Sequence, residues 1–269
     1  MMDIFYLGLS YVSNQDPGNP GQHSRRILGK LDRRAEKDGV LARGLAGEGG
    51  TSGEGRLILT EAGGRPYFAD CHADFSISHS KKAAAVSYLA SPSPGRLFRT
   101  GCDIQYHQPQ KAYREIAAHF FHPPEREFLA AAGTEGLRAF YLLWVLKEAY
   151  LKVRGGSVFD LCRCPAFNFE EAGGRSPPEI LRDRGELEGV YIFPQGYRDG
   201  RDLEFFLYET GEPAADAYSL AVCRERDERD AGPSAEPELR WFSGETLPLK
   251  SIARIKAAER PIKTVRPKI

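Results

Sequence analysis

Apolar positions along the chain change their rhythm twice. The first hundred residues carry short aromatic and β-branched runs, the middle carries helical spacing, and strand-like runs then return. IFYLGLSYV from Ile4 predicts an opening strand. A helix is predicted from Ser24 to Ala46, with Arg25, Arg26, Lys30, Arg33 and Arg34 along it. GLAGEGGTSGEGR then has the composition of a loop, because glycine loses much entropy when ordered. RLILTEAGGRPYF reads as a strand, a glycine turn and an extended segment fixed by Pro66. FSISHS and AAAVSYLA flank Lys81 and Lys82 as strands, and RLFRTGCDIQY follows as another.

From Lys111 to Phe121 the spacing turns helical. Pro123 and Pro124 interrupt it, and EREFLAAA begins a new helix with proline in its first turn and an acid, Glu125, near its positive end. The next segment contains WVLKEAYLKVRGG. At 100° per residue Leu142, Val145, Leu146, Ala149 and Val153 form a core stripe, while Trp144, Glu148 and Lys152 form a second line at four-residue spacing. Lys147 is expected beside Trp144, on display with them. Beyond Gly156 come SVFDLCRCPAFNF, YIFPQGYRDG, LEFFLYET and AYSLAVC as strands and turns, with a polar loop from Glu170 to Gly189. Phe75, Ile77, Val86, Tyr88, Leu97 and Phe98 are core candidates for the first half.

The 269 residues carry 37 basic and 37 acidic side chains, so no overall field gathers nucleic acid or membrane, and anionic ligands must be held by local clusters. RERDERDAGPSAEPE and the basic segment after Lys250 predict a charged, solvated extension over residues 226–269. Five cysteines form an odd set; with no secretory signal in MMDIFYLGLS, a reducing, cytoplasmic setting is expected. Cys162 and Cys164 make a CxC with no second ligand pair at zinc spacing.

Candidate chemistry lies in four places. Glu148 and Lys152 are either an i, i+4 pair on a solvated face or a displayed acid and base. Asp103 of GCDIQ projects from a strand end, where it is either a turn residue or a ligand for a hard cation, which needs only one or two protein carboxylates beside a substrate phosphate. Ser78, His79 and Ser80, with Lys81 and Lys82, suit a phosphate or else a turn whose hydroxyls bond its own backbone. Glu125 is either a helix-start acid or an active-site acid.

Taken in order, FSISHS, GCDIQ, HFFHPPEREFL and WVLKEAYLKVRGG resemble the signature series of the 4'-phosphopantetheinyl transferases, in particular their larger pseudo-twofold class, the surfactin-synthetase-activating type. The resemblance runs from Arg65 to Gly156 and more loosely to Cys223. It implies an α+β fold of two similar halves, residues 1–100 and 101–225, with coenzyme A in the cleft between them. It implies magnesium on Asp103 and Glu148, and Lys152 and Lys147 facing phosphate. Ser78, His79 and Arg65 would lie near the 3'-phosphate of coenzyme A, with Arg33 and Arg34 as amino-terminal contributors. Glu148 or Glu125 would act as base. Gln105 stands where the family pattern often has a second acid; its amide oxygen brings a donor without charge. The implied partners are coenzyme A and an apo acyl or peptidyl carrier protein, and the implied state is a monomer, with no nucleic acid and no membrane.

Two other classes of function compete. A coenzyme A binding module without turnover would have Gln105 as its mark, and nucleic-acid binding through the basic tail would depend strongly on salt.

Overall fold

Strands that carry apolar side chains on both faces need cover on both sides, and this requirement organises the molecule. A computed structural model describes residues 4–11, 20–37, 57–69, 72–90, 98–109, 112–170, 175–182, 187–192, 202–210, 216–226, 236–242 and 246–257. Along the chain run β1 (Ile4–Tyr11), α1 (Pro20–Lys37), β2 (Ile58–Thr60), β3 (Pro66–Phe68), β4 (Ala73–Ser80), β5 (Ala83–Ala90) and β6 (Thr100–Tyr106). There follow α2 (Tyr113–Phe120), α3 (Pro123–Ala131), α4 (Gly136–Arg154), β7 (Ala166–Glu170), α5 (Pro177–Arg182), β8 (Leu187–Ile192), β9 (Asp202–Thr210), β10 (Tyr218–Arg226), β11 (Glu238–Trp241) and β12 (Leu249–Ala257). The fold is mixed α+β.

One sheet has the order β11-β1-β5-β4 and the other β6-β10-β9-β12-β8-β7, with β2 and β3 a separate hairpin. The two sheets face each other. Phe5, Leu7, Leu9, Ala83, Ala85 and Leu89 of the first meet Cys102, Ile104, Phe206, Tyr208, Leu220 and Val222 of the second. The alternate residues of the same strands point away: Tyr6, Ala84, Val86 and Tyr88 pack under Ile27, Leu28, Leu31 and Ala35 of α1, while Phe205, Leu207, Ala221 and Cys223 pack under α4. Side chains of β5 alternate between these two faces, and the strand is buried at all eight positions because both faces are covered.

Most of the predicted elements appear. Of the first-half core candidates, Phe75, Val86 and Tyr88 are buried, Ile77 and Phe98 are partly so, and Leu97 lies outside the described residues. The helix expected at Ser24 already begins at Pro20, and the part of it beyond Lys37, like the glycine-rich loop, lies outside the described residues. Three expectations are corrected. The polar stretch after Glu170 contains α5, whose start is held by Ser176, which donates its N–H and hydroxyl to Glu179. The charged extension expected over 226–269 contributes two strands: β11 runs parallel to β1, and β12 is inserted between β9 and β8. Their charged residues hid the alternation, since Ile252, Ala253 and Ile255 are buried among exposed or half-exposed Lys250, Arg254 and Lys256. Finally, α4 is buried far beyond one stripe, because it lies on β6 and β10 and is covered by α2, α3 and the 3-10 segment Val158–Arg163.

Candidate active site

β4 and β6 are the free edges of their respective sheets, and they abut. Edge strands carry unpaired backbone groups that must be satisfied. Here side chains of β4, and one thiol of β6, satisfy them. Asp74 accepts from the N–H of Thr100 at 2.7 Å, Ser78 Oγ from that of Ile104 at 3.2 Å and Ser80 Oγ from that of Tyr106 at 2.9 Å; the Cys102 thiol donates to the Ser76 carbonyl. Each pair is offset by the same interval, so the strands run side by side in register. The serines of FSISHS therefore join two sheets; they neither form a turn nor bond their own backbone. Ser78, expected near a phosphate, donates its one hydroxyl proton to Asp103 at 2.8 Å. His79, on the opposite face of β4, is exposed.

Asp103 is the focus. The residue is 2% exposed; Oδ1 accepts from Ser78 and from Lys152 Nζ at 2.8 Å, and Oδ2 accepts from the Gln105 amide at 3.0 Å. Lys152 reaches it because α4 lies directly on β6. A Cβ on Gly101 would stand 2.2 Å from the Ala149 carbonyl oxygen and 2.9 Å from the Val153 nitrogen, so the glycine of GCDIQ sets the approach of helix to strand. Along the rest of α4, Trp144, Glu148, Lys152 and Arg154 stay partly exposed, and the first three are the predicted second line. Burial opposes the charge of Lys152, but Asp103, Cys102 and Glu148 together outweigh it and hold the ammonium above its usual pKa.

The α4 helix stops at Gly155 in the left-handed conformation, whose N–H bonds the Leu151 carbonyl. Gly63 in the β2–β3 turn abuts it, with room for no Cβ against the Gly155 carbonyl. Between them opens a cleft of about 250 Å³, lined by Arg65, Phe75, Ile77, Lys152 and glycines from both sides. Whole small-molecule sites span roughly 300–1,000 Å³, so this cleft is smaller than a complete ligand site. Arg65, expected to meet a 3'-phosphate, lines the cleft but is buried and engaged: it pairs with Asp74 and donates to the carbonyls of Lys152 at 2.8 Å and Thr100 at 3.2 Å. Asp74 is the site residue that reading the sequence missed. Its signal was present, an acid that opens the period-two series continued by Ser76, Ser78 and Ser80 on one side of the strand.

Other expected site residues are not brought here. Lys147 and Glu125 are both fully buried and pair with each other at 3.0 Å, with Lys147 over the Phe121 ring. The two carboxylate oxygens of Glu125 also accept from the N–H groups of His122 at 2.7 Å and Phe167 at 3.0 Å. Neither residue is open to a substrate, because the α2–α3 junction and the segment after α4 close over the side of the helix that carries Lys147. Arg33 and Arg34 stay with α1 on the four-stranded sheet, Arg33 exposed and Arg34 half-buried. Lys81 and Lys82 pair with Asp216 at 2.7 and 3.8 Å. Cys162 is exposed and Cys164 buried, its thiol pushed up to about 12 chiefly by that burial.

The donors near Lys152 suit a hard divalent cation. The Lys152 ammonium already occupies the position of a cation against Asp103, with Glu148 one turn away, so the oxygens at hand are those of two carboxylates, while Gln105 turns its amide N–H to Asp103. Among the described residues no group of three or more His, Cys, Asp or Glu side chains is gathered.

Residues 99–186, which hold β6 through α5 and hence Asp103, Glu148 and Lys152, match the family model described as the 4'-phosphopantetheinyl transferase superfamily. Among curated proteins, the chain is 32% identical over 108 residues to the 4'-phosphopantetheinyl transferase HetI of Nostoc sp. (strain PCC 7120), covering 38% of this chain and 42% of that protein. It is 31% identical over 106 residues to the 4'-phosphopantetheinyl transferase AcpT of Salmonella typhimurium, covering 39% of this chain and 52% of that protein. The match thus spans about half, or less, of the length of these relatives.

Proposed function

We propose that the chain is a magnesium-dependent 4'-phosphopantetheinyl transferase that moves phosphopantetheine from coenzyme A to a serine of an apo acyl or peptidyl carrier protein, and that it works as a monomer of two α+β halves related by a pseudo-twofold axis. The observation that carries this reading is the convergence of Asp103, Lys152 and Glu148 beside a cleft where the β2–β3 hairpin and β4 meet the end of α4, within the segment that matches the superfamily. In the reaction the serine oxygen forms a bond to the phosphorus bearing the pantetheine arm. The pyrophosphate P–O bond breaks, and adenosine 3',5'-bisphosphate leaves. Such transfers ask a protein mainly for alignment and charge neutralisation. Lys152 supplies a cation to the phosphates, and Glu148 takes the serine proton. Glu125 is not used as base, since it is sealed against Lys147. Asp103 and Glu148, with Gln105, would hold the magnesium ion, which when bound neutralises phosphate charge.

The test is mass spectrometry of an apo acyl carrier protein incubated with the protein, coenzyme A and magnesium. A gain of about 340 Da, the phosphopantetheine increment of this phosphoryl transfer, is expected, and it should vanish with chelator and with Glu148→Gln. Normal transfer by a folded Glu148→Gln protein would refute the role given to Glu148. Tight coenzyme A binding with no gain on any carrier type would replace the enzyme with a binding module.

A further inference from the structure

We infer that Asp74, a buried acid on β4 that pairs with Arg65 and touches neither Lys152 nor the proposed metal donors, is a positioning residue: it fixes both partners of the Lys152–Asp103 pair. The inference rests on the transferase reading for its kinetic consequence, but its geometry stands independently. Lys152 and Asp103 come from different elements, α4 and β6, and their contact needs both to be held. One carboxylate does this. On the strand side, Asp74 Oδ2 accepts from the N–H of Thr100, the first residue of β6, three residues before Asp103. On the helix side, the same oxygen accepts from Arg65, and the Arg65 Nε–H donates to the main-chain carbonyl of Lys152 itself at 2.8 Å.

The chemistry of that last bond explains why an arginine is used. The final carbonyls of a helix lack intrahelical partners and carry partial negative charge, which a cation satisfies. Gly155 and Gly156 donate their N–H groups to the Leu151 carbonyl, and the Lys152 carbonyl is met by the guanidinium. Arginine's planar fork also reaches Asp74 and the Thr100 carbonyl at the same time. A lysine has one nitrogen and cannot span these acceptors. Asp74 and Arg65 are 1% and 7% exposed, so their attraction is poorly screened, and removing either strands the other. The network therefore ties β3, β4, β6 and α4 at the mouth of the cleft. If it loosens, Lys152 and Asp103 lose their common frame.

The experiment combines kinetics with chemical footprinting on the full-length protein. Asp74→Asn keeps the shape and an acceptor oxygen but removes the charge. It should lower kcat by roughly 10- to 100-fold, the scale expected when reacting groups are displaced by about an ångström, with a smaller change in KM for coenzyme A. In the Lys152→Ala background the same substitution should cost clearly less than in the wild type, because only the part that acts through Asp103 remains. Independently of turnover, acylation of Lys152 by an amine-directed reagent should rise several-fold in Asp74→Asn relative to Lys82, whose side chain is similarly exposed, 29% against 28%. Arg65→Lys should repeat both effects, and it serves as the deciding variant if Asp74→Asn fails to fold. Equal kinetic losses in the two backgrounds, or an unchanged Lys152-to-Lys82 ratio in whichever of the two variants folds, would overturn the proposal. A wild-type protein without transfer activity but with the footprinting change would sink the transferase reading and leave the positioning role standing.

Discussion

Glu125 and Lys147 have reacting side chains in a motif-rich segment, yet the asymmetry of their surroundings marks a structural pair. Glu125 has two backbone N–H donors besides Lys147 and sits in the first turn of α3, where a negative charge is favoured. Among the described residues Lys147 has only the carboxylate at 3.0 Å and the Phe121 ring. Breaking a buried pair costs about 3–5 kcal/mol when the remaining charge is uncompensated. Glu125→Gln should therefore lose stability on that scale, since it abandons the ammonium, and Lys147→Met should lose clearly less, since Glu125 keeps both backbone donors. Urea unfolding midpoints of the two variants at neutral pH check the order. A base role for Glu125 predicts the reverse signature, normal stability with abolished transfer. Helical spacing put Lys147 beside Trp144; the sequence held no sign that other elements would cover that side of α4. Glu148 and Lys152 were legible because four-residue spacing alone defines the stripe that remains uncovered.

At the scale of elements, the site is a product of how closely α4 lies on β6. Gly101 has no room for a Cβ against the backbone of Ala149 and Val153, and both contacted atoms are main chain, so the helix must move as a body. Gly101→Ala should cost about 1–3 kcal/mol by overpacking and should lower transfer more than that loss of stability explains, because the Lys152–Asp103 contact of 2.8 Å opens with the helix. Comparing kcat of the fully folded variant with its thermal midpoint tests this; a drop in midpoint with unchanged kcat would mean that the contact tolerates displacement. This glycine was quoted in the motif but its reason was invisible, since a close approach between elements distant in sequence leaves no local pattern. The same holds for FSISHS. The alternating serines were visible at period two, but nothing local says that the strand ends a sheet and faces the edge of another. Strands β1, β4, β5, β6, β9 and β10 were readable from apolar runs alone; α5 was not, because its signal is a Ser176–Glu179 cap in a polar loop.

For the whole molecule, the question is what the charged C-terminal stretch does. β12 lies third from one end of the six-stranded sheet, antiparallel to β9 and parallel to β8, and it is the link through which β8 and β7 join the rest. Its Ile252 and Ile255 are fully buried. Arg254 pairs with Glu204 of β9, which Arg224 of β10 also engages, so three strands share one buried carboxylate. β11 meanwhile closes the far edge of the other sheet against β1. A chain cut after Arg226 therefore loses one edge strand and one interior strand. It leaves the apolar side chains of β7 and the Phe205 face without a continuous sheet and exposes the hydrogen-bonding edge of β9 as a template for aggregation. Such a truncation should be insoluble or lack the near-ultraviolet circular dichroism of fixed aromatic packing, since Phe205 lies against Phe167 and Tyr191 across that sheet. A soluble truncated chain with the full-length aromatic signal would mean that the sheet closes without β12. The site itself lies on β4, β6 and α4, outside the deleted strands, so loss of transfer in this variant would report the collapse of the frame that carries those elements and not the removal of a substrate contact.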